Sequence, residues 1–366
     1  MSRLPLEDLR SLLAERSLVR LIAVAIGVFV LFSVLASPYF FSVINFQSMG
    51  FQVAEVGLLS LAVMLSMLTG GIDLSIVSIA AVASLVTAQL FRATDAQAAT
   101  GMLAIGETVA FMAVGLLVGT ACGVLNGLLI TRVRITPILA TLGTMQLLNG
   151  LAIVLTGGEA LYGMPDAFLT IGTGNLLAVP IPVIVLLLAA VLTAAFINRT
   201  GTGLRLKLVG ANPVAARYSG LNNDRVLMMT YIASALLASV AGVIIAARSA
   251  SASADYGASY VLLSIVITML AGVNPNGGYA TVTGVVIAAF TLQMVASGMN
   301  QIGWNAFHYL IVQGVILIAV IGLNTLTEEY DLFAWIRRLR ARSPDDASPP
   351  PGPDRPGAEP VPPTET

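Results

Sequence analysis

Three carboxylates fall inside or beside long apolar stretches of this sequence, and they are its first candidates for chemistry. They are Glu55, Asp73 and Glu107. Ionisable groups at membrane depth are costly and usually serve function. Glu55 and Asp73 therefore support one hypothesis, a secondary transporter coupled to protons or sodium. Asp73 also has a structural interpretation, because a carboxylate ahead of Leu74 and Ser75 can cap the following helix.

Polar residues within the apolar stretches are candidates for a substrate path, and helix-to-helix hydrogen bonding explains them equally well. This set comprises Ser75, Asn126, Thr141, Asn149 and Asn274, and the carboxylates Glu55 and Asp73 belong to the same possible path. Two Gly-rich interruptions, 70–73 and 271–278, stand among the same stretches. Such breaks can line a binding site, or they can be tight turns that Gly, Asn and Pro favour.

Enzyme chemistry finds little support in the sequence. Its one lysine, Lys207, stands between two leucines, so the chain lacks the Gly-Lys-Ser/Thr of a phosphate-binding Walker loop. We expect no cofactor bound by this chain and no ATP hydrolysis of its own. His308 has no Cys or carboxylate at ligand spacing and Cys122 is a lone cysteine, so no metal site is expected.

The composition assigns the chain to a membrane. Its 366 residues are 57% hydrophobic and only 10% charged, whereas soluble domains are about 25% charged. The net charge of −1 also argues against a nucleic-acid partner. The expected fold is therefore an all-α, polytopic membrane helical bundle.

Ten stretches are long enough to cross a bilayer, which takes about 20 apolar residues. They are 18–36, 50–69, 74–91, 107–130, 135–156, 177–197, 226–247, 258–272, 277–298 and 306–324. With the N-terminus inside, only Arg92 and Arg248 of the 18 Lys and Arg residues fall outside, so 16 are cytoplasmic. Both termini are therefore predicted to be cytoplasmic.

These spans divide the chain into three regions. Residues 1–17 form a cytoplasmic N-terminal segment, 18–325 the transmembrane domain, and 326–366 a cytoplasmic tail. From Ser343 the tail contains nine prolines in 24 residues, a composition typical of disorder. Deletion after Arg342 should leave the folded spans intact.

The cytoplasmic loop 198–225 is the longest on its side and predicts a short helix of about seven residues. Asn212 can cap it, Pro213 suits its first position, and Gly220 suits its end. The charged and small residues around it are Arg205, Lys207, Gly210, Ala211, Ala215, Ala216 and Arg217. Such a helix fits a docking site for a soluble partner, or alternatively a helix lying on anionic membrane lipid.

Four glycines at intervals of four residues form one face of the fourth span. They are Gly115, Gly119, Gly123 and Gly127. A smooth face of this kind lets a second helix backbone approach closely. It predicts tight packing between helices of the chain, with a dimer seam as the alternative.

Four strings in the sequence resemble permease subunits of ribose-type ATP-binding-cassette sugar importers. They are Thr69–Ser75 (TGGIDLS), Gly123–Gly127 (GVLNG), Pro137–Thr144 (PILATLGT) and Gly210–Gly220 (GANPVAARYSG). The resemblance extends from about residue 20 to 325.

The resemblance implies a permease subunit in the bacterial inner membrane that forms the path for a monosaccharide or a similar small polyol. It implies a second permease subunit, the same or related, and a periplasmic sugar-binding protein that delivers the substrate. ATP and Mg would be bound by a separate cytoplasmic ATPase. Residues Gly210, Asn212, Ala215, Ala216 and Gly220 would contact that ATPase. The ion-coupled transporter stays the alternative, with a membrane scaffold or receptor as a third class.

Overall fold

The computed structural model describes residues 6–36, 39–94 and 101–329. Within these ranges the chain is almost wholly helical, with one 3₁₀ turn (Tyr39–Phe41) and one antiparallel hairpin of β1 (Asn175–Leu176) and β2 (Val179–Pro180). The α-helices are α1 (Leu6–Leu35), α2 (Val43–Leu68), α3 (Ile76–Ala93), α4 (Met102–Thr131), α5 (Pro137–Thr156), α6 (Asp166–Thr173), α7 (Ile181–Arg199), α8 (Gly201–Ala211), α9 (Pro213–Tyr218), α10 (Asn223–Ser249), α11 (Tyr260–Leu270), α12 (Val282–Gln301) and α13 (Ala306–Glu329). The all-α membrane fold predicted from composition is confirmed.

One compact unit of the chain ends at Ile318, and a second begins at Ala319 within α13. The structure describes the second unit as helical to Glu329. The predicted Pro-rich tail from Ser343 lies outside the described residues. Helix α1 begins at Leu6, earlier than the apolar stretch that starts at Leu18.

The residues at the ends of α2 and α5 have side chains or backbone conformations that suit those positions. The Ser42 hydroxyl accepts the amide N–H of Asn45 at the start of α2, which satisfies a donor that the helix leaves free. Pro137 occupies the first position of α5, where its missing N–H costs no hydrogen bond. The same helix ends at Gly157, whose φ of 66° is left-handed, as at many helix ends.

Helix α2 is the core of the first unit. From Val53 to Leu68 every residue is buried, because α7, α10, α11 and α12 all pack around this helix. A helix that is apolar on all sides is stable only when it is enclosed in this way. Side chains on α2 therefore point at neighbouring helices.

Eight helices of the described residues are long and apolar enough to span a membrane, and they match the first seven predicted spans and the ninth. The eighth and tenth correspond to shorter apolar helices, Tyr260–Leu270 and Phe307–Val320. Helix α11, with 11 residues, rises only about 16 Å. Parts of the irregular backbone on either side of it, including Ala252 and Val273, are buried in protein, where irregular backbone is tolerated at membrane depth.

The glycine face of α4 is filled from within the same chain. A Cβ atom on Gly115 would meet Thr87 and the main chain of α3, and one on Gly119 or Gly123 would meet α10. Gly127 lies against Met228. Because α3 and α10 occupy this face, it is not free to form the dimer seam that was the alternative.

Candidate functional site

The break between α2 and α3 places a carboxylate in the interior. Asp73 has no exposed surface, and its Oδ1 accepts hydrogen bonds from the amide N–H and the hydroxyl of Ser75, at 3.0 and 2.6 Å. Its Oδ2 accepts a bond of 3.1 Å from the hydroxyl of Ser234 on α10. Ser75 holds the N-cap position of α3, so Asp73 binds a helix-terminal amide from two residues upstream.

Further polar side chains extend this site to α4 and α5. The amide of Asn126 donates to the Ser75 hydroxyl at 2.7 Å, and its oxygen accepts from Thr144 at 2.6 Å. Thr141 donates to the carbonyl of Ile72 at 3.1 Å and accepts the amide N–H of Leu74 at 3.2 Å. We call the side chains of Asp73, Ser75, Asn126, Thr141, Thr144 and Ser234 the polar network.

The polar network is closed in this conformation. All six of its side chains are buried, and hydrogen bonds among them and the break join α3, α4, α5 and α10. Four of the predicted path residues thus come together, and sequence reasoning did not identify Thr144 or Ser234 as members. A fully buried network of this kind holds the helices together.

Glu55 forms a second buried site that is separate from the polar network. Its carboxylate receives two hydrogen bonds from the guanidinium of Arg248 and one of 3.1 Å from the Tyr260 hydroxyl. The side chain of Glu55 is 1% exposed, whereas that of Arg248 is 32% exposed. Both partners lie about 200 residues away in sequence, so no local pattern indicated them. This pairing neutralises the carboxylate that had suggested ion coupling.

The remaining predicted path residues occupy other places. Asn149 is partly buried on α5. Asn274 lies in the turn between α11 and α12, where its Oδ1 accepts the amide N–H of Asn276 at 2.9 Å. Neither residue belongs to the polar network, and their assignment to a path stays a prediction.

The two Gly-rich interruptions meet each other at the end of α8. The amide N–H of Gly278 donates a hydrogen bond of 2.9 Å to the carbonyl of Leu68, the last residue of α2. Gly210 packs against both of these main-chain groups so closely that a Cβ atom there would collide with the Leu68 carbonyl oxygen. The interruptions are turns, as one interpretation held, and they form contacts that their sequences alone did not reveal.

The short helix predicted in the loop 198–225 is present as α9. The Asn212 side chain caps it by accepting the amide N–H groups of Val214 and Ala215, at 3.0 and 2.9 Å. Pro213 is its first residue, and Gly220 follows its end with a φ of 80°. This prediction from caps and turn residues is confirmed.

Helix α9 presents most of its surface to the outside. Val214 is 64% and Tyr218 89% exposed, while Ala216 is 5% exposed and faces the protein. Of the other residues assigned to this contact, Arg205, Ala211, Ala215, Arg217 and Gly220 are exposed, and Gly210 is buried.

Lys207 differs from the exposed cations of the loop. Its ammonium donates a hydrogen bond of 2.8 Å to Asn198, and burial lowers the pKa of Lys207. Its charge is therefore held against α7.

A polar cavity of about 430 Å³ opens beside α9, between Arg217 and the turn that joins α4 to α5. Arg134, in the left-handed conformation with a φ of 68°, binds Asp224 through two hydrogen bonds of 2.9 and 3.0 Å. This pair places the α4–α5 turn at the same end of the helices as the start of α10. The sequence had identified Arg134 only as a cytoplasmic cation.

Comparisons with known proteins show similarity to transport permeases. Residues 45–321 match the family model described as the permease component of the branched-chain amino acid transport system. The ribose import permease protein of Bacillus subtilis strain 168 is 34% identical over 82% of this chain and 91% of its own length.

A second group of relatives carries another transport name. The autoinducer 2 import system permease protein of Yersinia enterocolitica is 29% identical over 78% of this chain and 85% of its own length. The protein of that name from Yersinia pseudotuberculosis strain YPIII is 28% identical over the same shares. No solved structure matches the chain. These relatives are import permeases, as the four sequence strings had indicated.

Proposed function

The chain belongs to the permease family described for the branched-chain amino acid transport system, and we propose that it is the membrane subunit of an ATP-binding-cassette importer. It forms the path for a monosaccharide or a similar small polyol across the bacterial inner membrane. The printed name of its Bacillus subtilis relative, a ribose import permease, supports the substrate class. Energy comes from a separate cytoplasmic ATPase that binds ATP and Mg.

Helix α9 is the single observation that carries this proposal. It is a capped helix of six residues, too short to be stable alone, and it is held in place from both sides. Asn212 continues directly from α8, and Asn223 on α10 donates a hydrogen bond of 2.8 Å to the carbonyl of Pro213. A short helix fixed to the body of the protein and exposed on its outer side fits a socket in a partner.

Charge and shape support an ATPase as the partner of α9 over a lipid surface. A helix that lies on a membrane has a continuous apolar face towards the lipid. The exposed residues of α9 include Val214 and Tyr218, but Ala215 and the charged Arg217 are exposed as well, so the outer surface is not continuously apolar. The adjacent polar cavity, lined by Arg217 and Asn222, adds groups that bind an acidic or polar protein surface.

The polar network supports a role for this conformation in the transport cycle. The break that contains Asp73 lies at the same end of the helices as α8 and α9, because the carbonyl of Leu68, just before the break, contacts Gly210 of α8. Since every member is buried and hydrogen-bonded, we propose that the network holds α3, α4, α5 and α10 together at this end in the state described. These helices then move together when the ATPase moves α9.

We further propose that two permease subunits, of this or a related chain, enclose the path and that a periplasmic sugar-binding protein supplies the substrate. Both partners follow from the family that the sequence resembles. The outer loops carry only Arg92 and Arg248 among the Lys and Arg residues in the predicted topology, so the electropositive face with α9 is the cytoplasmic one.

Purification of the tagged chain from its native membrane in mild detergent, followed by mass spectrometry, tests this function. The proposal predicts a co-purifying ATPase in stoichiometric amount and a second permease subunit or a second copy of this chain. A chain that emerges without an ATPase and still moves solute in vesicles lacking ATP contradicts the proposal.

A further inference from the structure

We infer that four glycines form a rigid joint through which movement of α9 reaches both Gly-rich interruptions of the membrane domain. The four are Gly70, Gly210, Gly277 and Gly278, and we call them the glycine joint. The inference deepens the proposed function and rests on it, since an ATPase must dock at α9 for the joint to transmit its movement.

The glycine joint is built of main-chain contacts. Besides the hydrogen bond from Gly278 to Leu68, a Cβ atom on Gly277 would lie 2.6 Å from the carbonyl oxygen of Gly210 and 2.9 Å from the amide nitrogen of Gly70. Real Cβ atoms do not approach other atoms so closely. Residues with side chains at these positions would separate three segments that now touch backbone to backbone.

Glycine is required at the joint for conformation as well as for space. Gly277 and Gly278 have φ values of 96° and 83°, in the region that residues with a Cβ rarely adopt. Gly210 has an ordinary helical conformation, so its requirement is one of space alone. Gly210 can therefore be replaced by alanine without backbone strain, which makes it the position at which to test the contact.

On one side the joint is continuous with the docking helix. Gly210 lies two residues before Asn212, whose amide N–H still donates to the carbonyl of Leu208 in α8. The same residue caps α9. Ala211 ends α8 and Asn212 caps α9, so every residue between the joint and α9 belongs to a helix or a cap. The joint and α9 therefore move together.

On the other side the joint is continuous with the polar network. Gly70 stands three residues before Asp73, and the intervening backbone is held by Ser66, whose carbonyl accepts the amide N–H of Gly71 and whose hydroxyl accepts that of Asp73. Gly278 leads into α12 within four residues. A shift of Gly210 therefore displaces the polar network and the start of α12 together.

Main-chain contact transmits movement between the segments because no side chain that could change conformation lies between them. Packed side chains can change rotamer when a neighbour moves, whereas two backbones in contact can only move together or separate. The joint thus predicts that α9 and the two interruptions behave as one body during the transport cycle.

The test compares Gly210→Ala with Gly201→Ala in the complete importer. Gly201 begins the same helix α8 and has nothing within 4 Å of where its Cβ would lie, so it is the matched control. Each complex is purified with its ATPase and reconstituted in liposomes, with the importer's periplasmic sugar-binding protein added outside. Uptake is measured with the sugar that the wild-type importer takes up from a labelled panel of D-ribose, D-xylose, L-arabinose, D-galactose and D-glucose.

We expect Gly210→Ala to retain the ATPase and its ATP hydrolysis while the sugar moved per ATP falls roughly tenfold, because the added methyl separates the segments. Gly201→Ala should match the wild type in both. Equal uptake per ATP in Gly210→Ala and the wild type overturns the joint. A wild-type importer that shows no ATP-dependent uptake overturns the proposed function and the joint with it.

A second measurement on the wild-type complex covers the case in which Gly210→Ala does not assemble. Hydrogen–deuterium exchange is followed at the peptides that contain Gly278, with ADP and again with ATP and vanadate. A rigid joint keeps the Gly278 amide protected in both states. Loss of protection in either state shows that the joint opens, and it contradicts rigid transmission.

Discussion

Asn126 on α4 donates a hydrogen bond of 2.7 Å to the hydroxyl of Ser75, although 51 residues separate them. The same amide accepts a bond from Thr144 on α5, so one side chain connects two helices to the α2–α3 break. Ser75 in turn binds Asp73, and Asp73 binds α10. Asn126 is therefore the central member of the polar network.

Replacing Asn126 with leucine should destabilise the membrane domain. Leucine has a similar volume but removes the hydrogen bonds that Asn126 makes with the hydroxyls of Ser75 and Thr144, at a cost of about 1–2 kcal/mol. The midpoint of thermal unfolding in detergent measures the effect. Asn149→Leu on α5 is the control and should shift the midpoint less, because Asn149 lies outside the network. Equal shifts would show that Asn126 has no special role.

Substitutions at two neighbouring alanines of α9 distinguish an effect on ATPase docking from an effect on folding. Ala215 is exposed and Ala216 is buried, so Ala215→Asp should reduce co-purification of the ATPase roughly tenfold without changing thermal stability. Ala216→Asp should lower stability, because it buries a carboxylate without a partner.

The control for this pair is Ala178→Asp in the turn of the β1–β2 hairpin. Ala178 is exposed, and aspartate tolerates its φ of 67°. This variant should retain the ATPase. If Ala215→Asp also retains it in full, α9 is not the docking helix.

Removing one charge of the pair formed by Glu55 and Arg248 should lower the stability of the protein. Glu55→Gln leaves the guanidinium without its counter-charge, and we expect a loss of about 2 kcal/mol in stability, less than for a fully buried pair because Arg248 is partly exposed. The double variant Glu55→Gln, Arg248→Gln should recover part of this loss.

Thermal unfolding of the two single variants and the double variant gives the coupling between Glu55 and Arg248 directly. Strictly additive effects would mean that the pair contributes nothing. Uptake by the double variant should remain independent of a proton or sodium gradient, since ion coupling is not expected of either residue.

The glycine face of α4 should tolerate no added methyl group where it touches α10. Gly123→Ala would bring a Cβ atom 2.6 Å from the carbonyl oxygen of Tyr231, so overpacking should cost about 1–3 kcal/mol. Gly143→Ala on α5 meets nothing within 4 Å and should leave the thermal midpoint unchanged or slightly raised. A Gly123→Ala variant as stable as the wild type would remove the packing role of this face.

The features that the sequence predicted well are those determined by neighbouring residues. Asn212, Pro213 and Gly220 specify the start and end of α9 through their own backbone preferences and side-chain bonds. The apolar length of α2 or α10 likewise follows from composition within one window. Such signals need no knowledge of the rest of the fold.

The features that the sequence missed depend on tertiary contacts. Arg248 and Tyr260 lie 193 and 205 residues from Glu55, and nothing near Glu55 indicates them. Helix α11 covers only 11 residues of the apolar stretch 258–272, because turns bound it on both sides. An apolar window does not distinguish such a segment from a longer helix. The contact of Gly210 with both interruptions arises only when three separate segments fold against one another.

The most direct test of the central claim is sugar uptake by the purified complex in liposomes. ATP is enclosed on the α9 side, the periplasmic sugar-binding protein is added on the other side, and ionophores abolish proton and sodium gradients. We predict uptake that requires ATP and the co-purified ATPase and that continues when the gradients are removed. Uptake that stops with the ionophores and proceeds without ATP would contradict the assignment of this chain as an ATP-driven permease.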